Sequence, residues 1–115
     1  MTKKGKIVLG VAEEITIHSK NDKKVMARID TGASKSSIDE SLAKELELGP
    51  VIGKRLVRSA HGTKERPVID VVVMIGGKDV KGHFTITNRS HMTYSVLIGR
   101  NILKQGFIIN PNKGE

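Results

Sequence analysis

An acid closes an apolar run in the stretch VMARIDTGASKSSID, residues 25–39. Asp30 follows strand-like residues and precedes Thr31-Gly32-Ala33-Ser34, a small and turn-prone sequence. A turn in which the aspartate accepts local backbone hydrogen bonds explains such a triplet by itself. The alternative is a carboxylate presented for chemistry, a base when ionised and an acid when protonated. Gly32 would permit close backbone approach at that point. The chain has five aspartates, and only Asp30 precedes Thr-Gly or Ser-Gly. Chemistry that needs a pair of such acids finds half of it in one chain.

Holding a carboxylate in place takes rigid elements, and the hydrophobic pattern predicts mostly short strands. KIVLGV (6–11) and EITIH (14–18) read as strands, and NDKK (21–24) as a hairpin connection into VMARI (25–29). Ser37 and Glu40 form an S-x-x-E capping box, and Ile38, Leu42 and Leu46 share one face. That predicts a helix over roughly 39–47, stopped by Gly49-Pro50. KRLVRSA (54–60) alternates, HGTKE (61–65) turns, and RPVIDVVVMI (66–75) is a long strand starting near Pro67. GGKD (76–79) is a tight turn into VKGHFTIT (80–87). VLIGRNILKQ (96–105) begins as a strand, breaks at Gly99 and continues as a short helix. GFIIN (106–110) is a last strand. The expectation is a mainly β chain, a single domain over 1–115 with fraying at 1–5 and 111–115. It would fold as a small closed barrel with one or two short helices.

Composition narrows the partners. Hydrophobic content of 37% and charged content of 28% suit an ordinary globular domain. Aromatic residues make up only 3%, with no Trp, so the core must be aliphatic. No window approaches the ~18 apolar residues of a membrane helix, and MTKKGKIVLGVAEE fails as a secretory signal because Glu13-Glu14 cut its apolar run. The absence of Cys excludes disulfides and thiolate metal sites and is compatible with a cytoplasmic setting. A net charge of +8 fits a solvated basic surface, an acidic protein partner or nucleic acid. The positive charges are scattered and stacking aromatics nearly absent, which ranks nucleic acid last.

ARIDTGAS followed by VLIGRNILKQGFIIN resembles the retropepsin, or retroviral-type, aspartic protease family. Within it the chain looks similar to small prokaryotic proteins labelled ATP-dependent zinc proteases, some associated with glutamate ligases of the RimK type. An RPV strand and an R-x-x-M-x-Y segment, here Arg89, Met92 and Tyr94, add to that likeness. The resemblance implies that Asp30 is catalytic and that Thr31, Gly32 and Ala33 support its loop. Leu97, Ile98, Gly99 and Arg100 would pack beneath it. Two carboxylates about 3 Å apart cannot both ionise, so a pair shares one proton and supplies a base and an acid. A homodimer is therefore required, with Asp30 of both chains on its axis.

The family also implies a flap over the substrate. MIGG (74–77) matches some viral flaps as a string but lies too far downstream of Asp30. Ser59, Ala60, His61, Gly62, Thr63 and Lys64, within 59–66, occupy nearly the right interval. Viral members place an acid after DTGA to pair with the arginine of GRN. Ser34 stands there instead, so Arg100 is expected to satisfy backbone carbonyls or another acid. Zinc and ATP find no support, since the four His form no i, i+4 pair and no P-loop occurs. No cofactor and no metal are expected. The leading expectation is a peptidase acting on acidic peptides, because Lys35, Arg58, Lys64 and Arg66 fall near the supposed cleft, and the resemblance to the ligase-associated group implies glutamate-rich ones. The rival is a non-catalytic barrel that binds an acidic protein partner.

Overall fold

The computed structural model describes residues 2, 3 and 5–114. Strands β1 (Thr2–Lys3), β2 (Lys6–Leu9), β3 (Ala12–Ile17), β4 (Lys23–Ile29) and β5 (Ser36–Asp39) lead into helix α1 (Glu40–Glu45). Then come β6 (Val51–Ser59), β7 (Gly62–Ile75), β8 (Lys78–Thr87) and β9 (Val96–Ile98). Helix α2 (Arg100–Leu103) and β10 (Phe107–Ile109) complete the order. The chain is mainly β with two short helices, as its sequence predicts.

Alternation builds the barrel. In β7 the side chains of Ile69, Val71, Val73 and Ile75 are buried while those between them face outward, the period of a strand with one apolar face. The larger sheet runs β3-β4-β9-β5-β8-β7-β6, and an extra pairing of β3 with β7 closes it on itself. That closure joins Thr16 to Met74 and Ile17 to Val73. Closure removes the open edges that β3 and β7 would otherwise present. Strand β6 stays outside the ring, paired with β7 alone. A second sheet, β1-β2-β10, brings the two ends of the chain together, with β2 and β10 parallel. Of the ends expected to fray, Met1, Lys4 and Glu115 lie outside the described residues, and Thr2–Lys3 pair with β2. Among the described residues, no helix is long and apolar enough to cross a membrane.

Two local expectations are corrected. Helix α1 is capped by Asp39, whose side chain accepts the Ser41 N–H, and not by a Ser37–Glu40 box. Pairing with β8 and β9 draws residues 36–39 into the sheet as β5, so Ser37 is a strand residue and the helix starts later. The turn expected over 61–65 shrinks to Ala60-His61, because Ser59 already pairs with Gly62. Gly62 takes φ 111°, which glycine allows without cost.

The core is aliphatic apart from two rings, Phe84, which is 1% exposed, and Phe107 at its margin. Outside the barrel, His18 at the end of β3 ties two hairpins together. Its Nε2 lies 2.8 Å from Asp79 and its Nδ1 3.2 Å from Asp22. The Asp79 hydrogen bond, followed by the Asp22 bond, raises the histidine pKa. Asp22 is held below its ordinary value by the Ser19 N–H and then by His18. A histidine raised on folding stabilises fully below its unfolded value, about 6.5, and loses that contribution as pH climbs through the folded one.

Two outcomes are expected. Replacing Phe84→Ala costs about 3–5 kcal/mol in urea unfolding, and a loss under about 1 kcal/mol contradicts the packing described. Replacing Asp79→Asn lowers the unfolding midpoint more at pH 5.5 than at pH 8.5; a gap that is equal at both removes His18 as its cause.

Candidate active site

Asp30 stands where β4 runs out. Its N–H donates to the Ile98 carbonyl at 2.9 Å, carrying the β4–β9 pairing beyond the strand. Its Oδ1 accepts the Gly32 N–H at 2.9 Å, and its carbonyl accepts the Ala33 N–H at 3.2 Å. These are the local bonds of an aspartate turn, so turn chemistry and presentation of a carboxylate coexist. The second carboxylate oxygen has no hydrogen bond among the described residues. Asp30 is half-buried, whereas Thr31 and Gly32 are exposed.

The other four aspartates are occupied. Asp22 and Asp79 bracket His18, and Asp70 sits 3.1 Å from His83. Asp39 is buried and accepts two backbone N–H groups, from Ser41 and, at 2.7 Å, from Arg89. Asp30 alone has neither an ion pair within 4.0 Å nor a helix to cap, among the described residues.

Beneath the loop, the β9–α2 corner holds it. The Ser36 hydroxyl accepts the Gly99 N–H at 2.9 Å and donates to Asn101 Oδ1 at 2.8 Å. Asn101 Nδ2 then donates to the His83 carbonyl of β8 at 2.9 Å. Arg100 uses its backbone N–H on the Ala33 carbonyl, 2.8 Å away, and its guanidinium on the Thr31 carbonyl at 2.9 Å. With Ser34 in place of an acid, the arginine binds the loop backbone directly. Ile98 is fully buried in the core, and Leu97 lies half-buried on the opposite face of β9.

Ser36 and Asn101 were not predicted as parts of this support. Asn101 adjoins the LIGR stretch, a usable hint, but Ser36 looks like one more turn serine. Arg89 was also unassigned. Its Nε donates to the Tyr94 carbonyl at 3.0 Å and its Nη1 lies 3.4 Å from Ser37 Oγ. Burial pushes the Arg89 pKa down, and the charges of Asp39 and then Asp30 oppose that.

Residues 59–64 form the tip of the β6–β7 hairpin, with Arg58 opposite Thr63 and Val57 opposite Lys64. From Val68 onward β7 also pairs with β8, so the part before it is a two-stranded ribbon. Its apolar side chains are open, Leu56 being 67% exposed. A cavity of about 530 Å³ lies against the ribbon, lined by Ile52, Lys54, Arg55 and Leu56 of β6, His83 and Thr85 of β8, and Lys35. Asp30 is not part of its wall; Lys35, from the loop that follows, is. The MIGG string forms the turn at the other end of β7, where Gly76 and Gly77 take φ 59° and 80°.

Solved structures of similar fold exist. A Legionella pneumophila protein of unknown function aligns with a TM-score of 0.66 at 20% identity, covering 91% of this chain and 93% of its own. The solution structure of a simian foamy virus protease aligns with a TM-score of 0.63 at 20% identity, covering 81% and 91%. Among curated relatives, a probable alpha-L-glutamate ligase of Shewanella pealeana is 26% identical over 133 residues. That match takes in 94% of this chain and 29% of the relative, so the chain spans under a third of the relative's length.

Removing the fully buried hydroxyl in Ser36→Ala strands the Gly99 N–H and one Asn101 oxygen, which is expected to cost about 1–3 kcal/mol in urea unfolding; an unchanged midpoint contradicts the bridging role. Gly99 and Asn101, the partners of that hydroxyl, fall inside residues 39–115, the span matched by a family model described as retropepsin-like aspartic endopeptidase RimB. Asp30 and Ser36 precede that span, yet the matched residues are the ones that hold them. The chain belongs to the RimB-like family of retropepsin-like aspartic endopeptidases.

Proposed function

We propose that the protein is an aspartic peptidase active as a homodimer, with Asp30 of each chain flanking one water molecule. The observation that carries this reading is the state of the Asp30 carboxylate. It is fixed on one oxygen by Gly32 and, among the described residues, has no partner on the other and no ion pair. In a dimer the two carboxyl groups share a proton, one drawing a proton from water and the other giving its own to the leaving amine. Water then adds to the scissile carbonyl without a covalent enzyme intermediate. Thr31, Gly32 and Ala33 hold the loop, and Arg100 clamps it through the Thr31 carbonyl.

Several features favour a dimer. One chain carries one motif acid, and a twofold interface repeats each residue about its axis. The β1-β2-β10 sheet gathers both ends of the chain, leaving β1 and β10 as edges able to add strands from a second copy. The ribbon of β6 and β7, with Ser59 to Lys64 at its tip, serves as the flap, and its open apolar residues meet substrate.

Acidic peptides are the substrate class we favour. Lys35, Lys54, Arg55 and His83 line the cavity beside the ribbon; Lys54 is paired with Glu65 and His83 with Asp70, which leaves Lys35 and Arg55 to face an anion. An electropositive cleft concentrates anionic substrate and raises its association rate. The curated relative bears a glutamate-ligase name, which points to glutamate-rich peptides as the first to try. A cytoplasmic setting belongs to the same reading.

The test is incubation with glutamate-rich peptides, with sedimentation run alongside. The wild type is expected to cleave them and to sediment as a dimer. Asp30→Asn should lose cleavage by a factor of at least about a hundred while remaining dimeric. Cleavage surviving that substitution removes Asp30 from the chemistry. A strict monomer that binds the peptides without cutting them supports a binding module instead.

A further inference from the structure

The register of the barrel sets up a row of side chains beside Asp30. Arg28 of β4 pairs with Leu97 of β9, and Ser37 of β5 pairs with the same Leu97. Their neighbours Ala27, Ile29, Val96, Ile98 and Ile38 are all buried in the core. By strand alternation Arg28, Leu97 and Ser37 therefore share the opposite face. Asp30, two residues after Arg28, continues that side of the chain.

Arg89 closes the far end of this row. It enters from the segment after β8 and places its Nη1 by the Ser37 hydroxyl. Its Nε is taken by the Tyr94 carbonyl, and its backbone N–H by Asp39. A guanidinium carries five N–H donors, and these contacts engage two. No carboxylate lies within 4.0 Å of it among the described residues; the charges of Asp39 and Asp30 reach it through space, without contact. Arg89 is half-buried all the same. A partly desolvated cation with no carboxylate in direct contact is costly, and part of that cost is recovered when an anion docks with good geometry. The planar fork suits a carboxylate, and Nη2, with its two N–H donors, has no partner among the described residues.

We propose that Arg89, oriented by Tyr94 and Ser37 at the end of the Arg28–Leu97–Ser37 row, is a specificity-determining residue that receives the side-chain carboxylate of a substrate residue next to the scissile bond. The inference rests on the peptidase reading for what lies beside the carboxylate, but not for the binding itself. A purely structural arginine would pin the segment after β8 to β5 and discriminate between no substrates. The receptor role makes one glutamate of the substrate matter more than the others.

Hexaglutamate and a series with one Gln scanned through its positions separate these roles. Labelled peptides are bound to the inactive Asp30→Asn protein, and the same set is offered to the wild type for cleavage. Glutamine at one position is expected to weaken binding about ten-fold, and Arg89→Gln in the same background should erase that penalty at that position only. Arg89→Lys, which keeps the charge and loses the fork, should retain part of it. Equal penalties at all positions indicate diffuse attraction and overturn the proposal. So does a penalty that persists in Arg89→Gln, or, should that variant fail to fold, one undiminished in Arg89→Lys. If the Arg89-dependent penalty is found but the wild type cuts nothing, the receptor stands and the peptidase reading falls.

Discussion

A Cβ at position 99 would run into the Lys35 carbonyl and crowd that of Ala33. The loop after Asp30 can therefore lie over the start of α2 only because that position is glycine. The φ of Gly99, −102°, is ordinary, so the constraint is space and not backbone strain. Closeness is what lets a short serine side chain bridge two elements distant in sequence. It also sets the Arg100 N–H against the Ala33 carbonyl and the Asp30 N–H against Ile98. A half-buried carboxylate ends up on a loop whose shape is dictated by the barrel below it. A loop over a rigid scaffold is a common place for function, and here the scaffold reaches the loop through hydrogen bonds at Asp30, Thr31 and Ala33.

The distribution of charge follows from the same economy. With twelve acidic side chains against twenty basic ones, acids are scarce. Most aspartates are committed to hydrogen bonds that hold turns, caps and hairpins. Lys54 meets Glu65 across the ribbon at 3.3 Å, an exposed pair of little energetic weight. Of the positive charge, Lys35 and Arg55 line the cavity, and Arg28 and Arg89 flank the row beside Asp30.

Much of the barrel could be read from the chain. The alternation of Ile69, Val71, Val73 and Ile75 and the Gly76-Gly77 turn are local signals, and they survive folding unchanged. Strand β5 was illegible. Its four residues, SSID, carry no alternation, and their partners Phe84–Thr87 and Val96–Leu97 lie far along the chain. The same distance hid the cap of α1, since only the pull of the sheet decides between Ser37 and Asp39. In the site, Asp30, Gly32 and the LIGRN stretch stand out by type and spacing. Ser36 and Arg89 do not, because a serine is defined by whichever donor comes within reach and an arginine by the carbonyls and charges around it. Those neighbours come from other strands.

Whether two motif acids work together is decided most directly by mixing chains. Wild-type protein is combined with an equal amount of Asp30→Asn protein, subunits are allowed to exchange, and peptide cleavage is compared with wild type at the same total concentration. If one water is held between the Asp30 side chains of two copies, only dimers with both acids cut, and activity falls to about a quarter. Activity of about half would mean that each chain acts with its own acid alone, and the paired site would not exist.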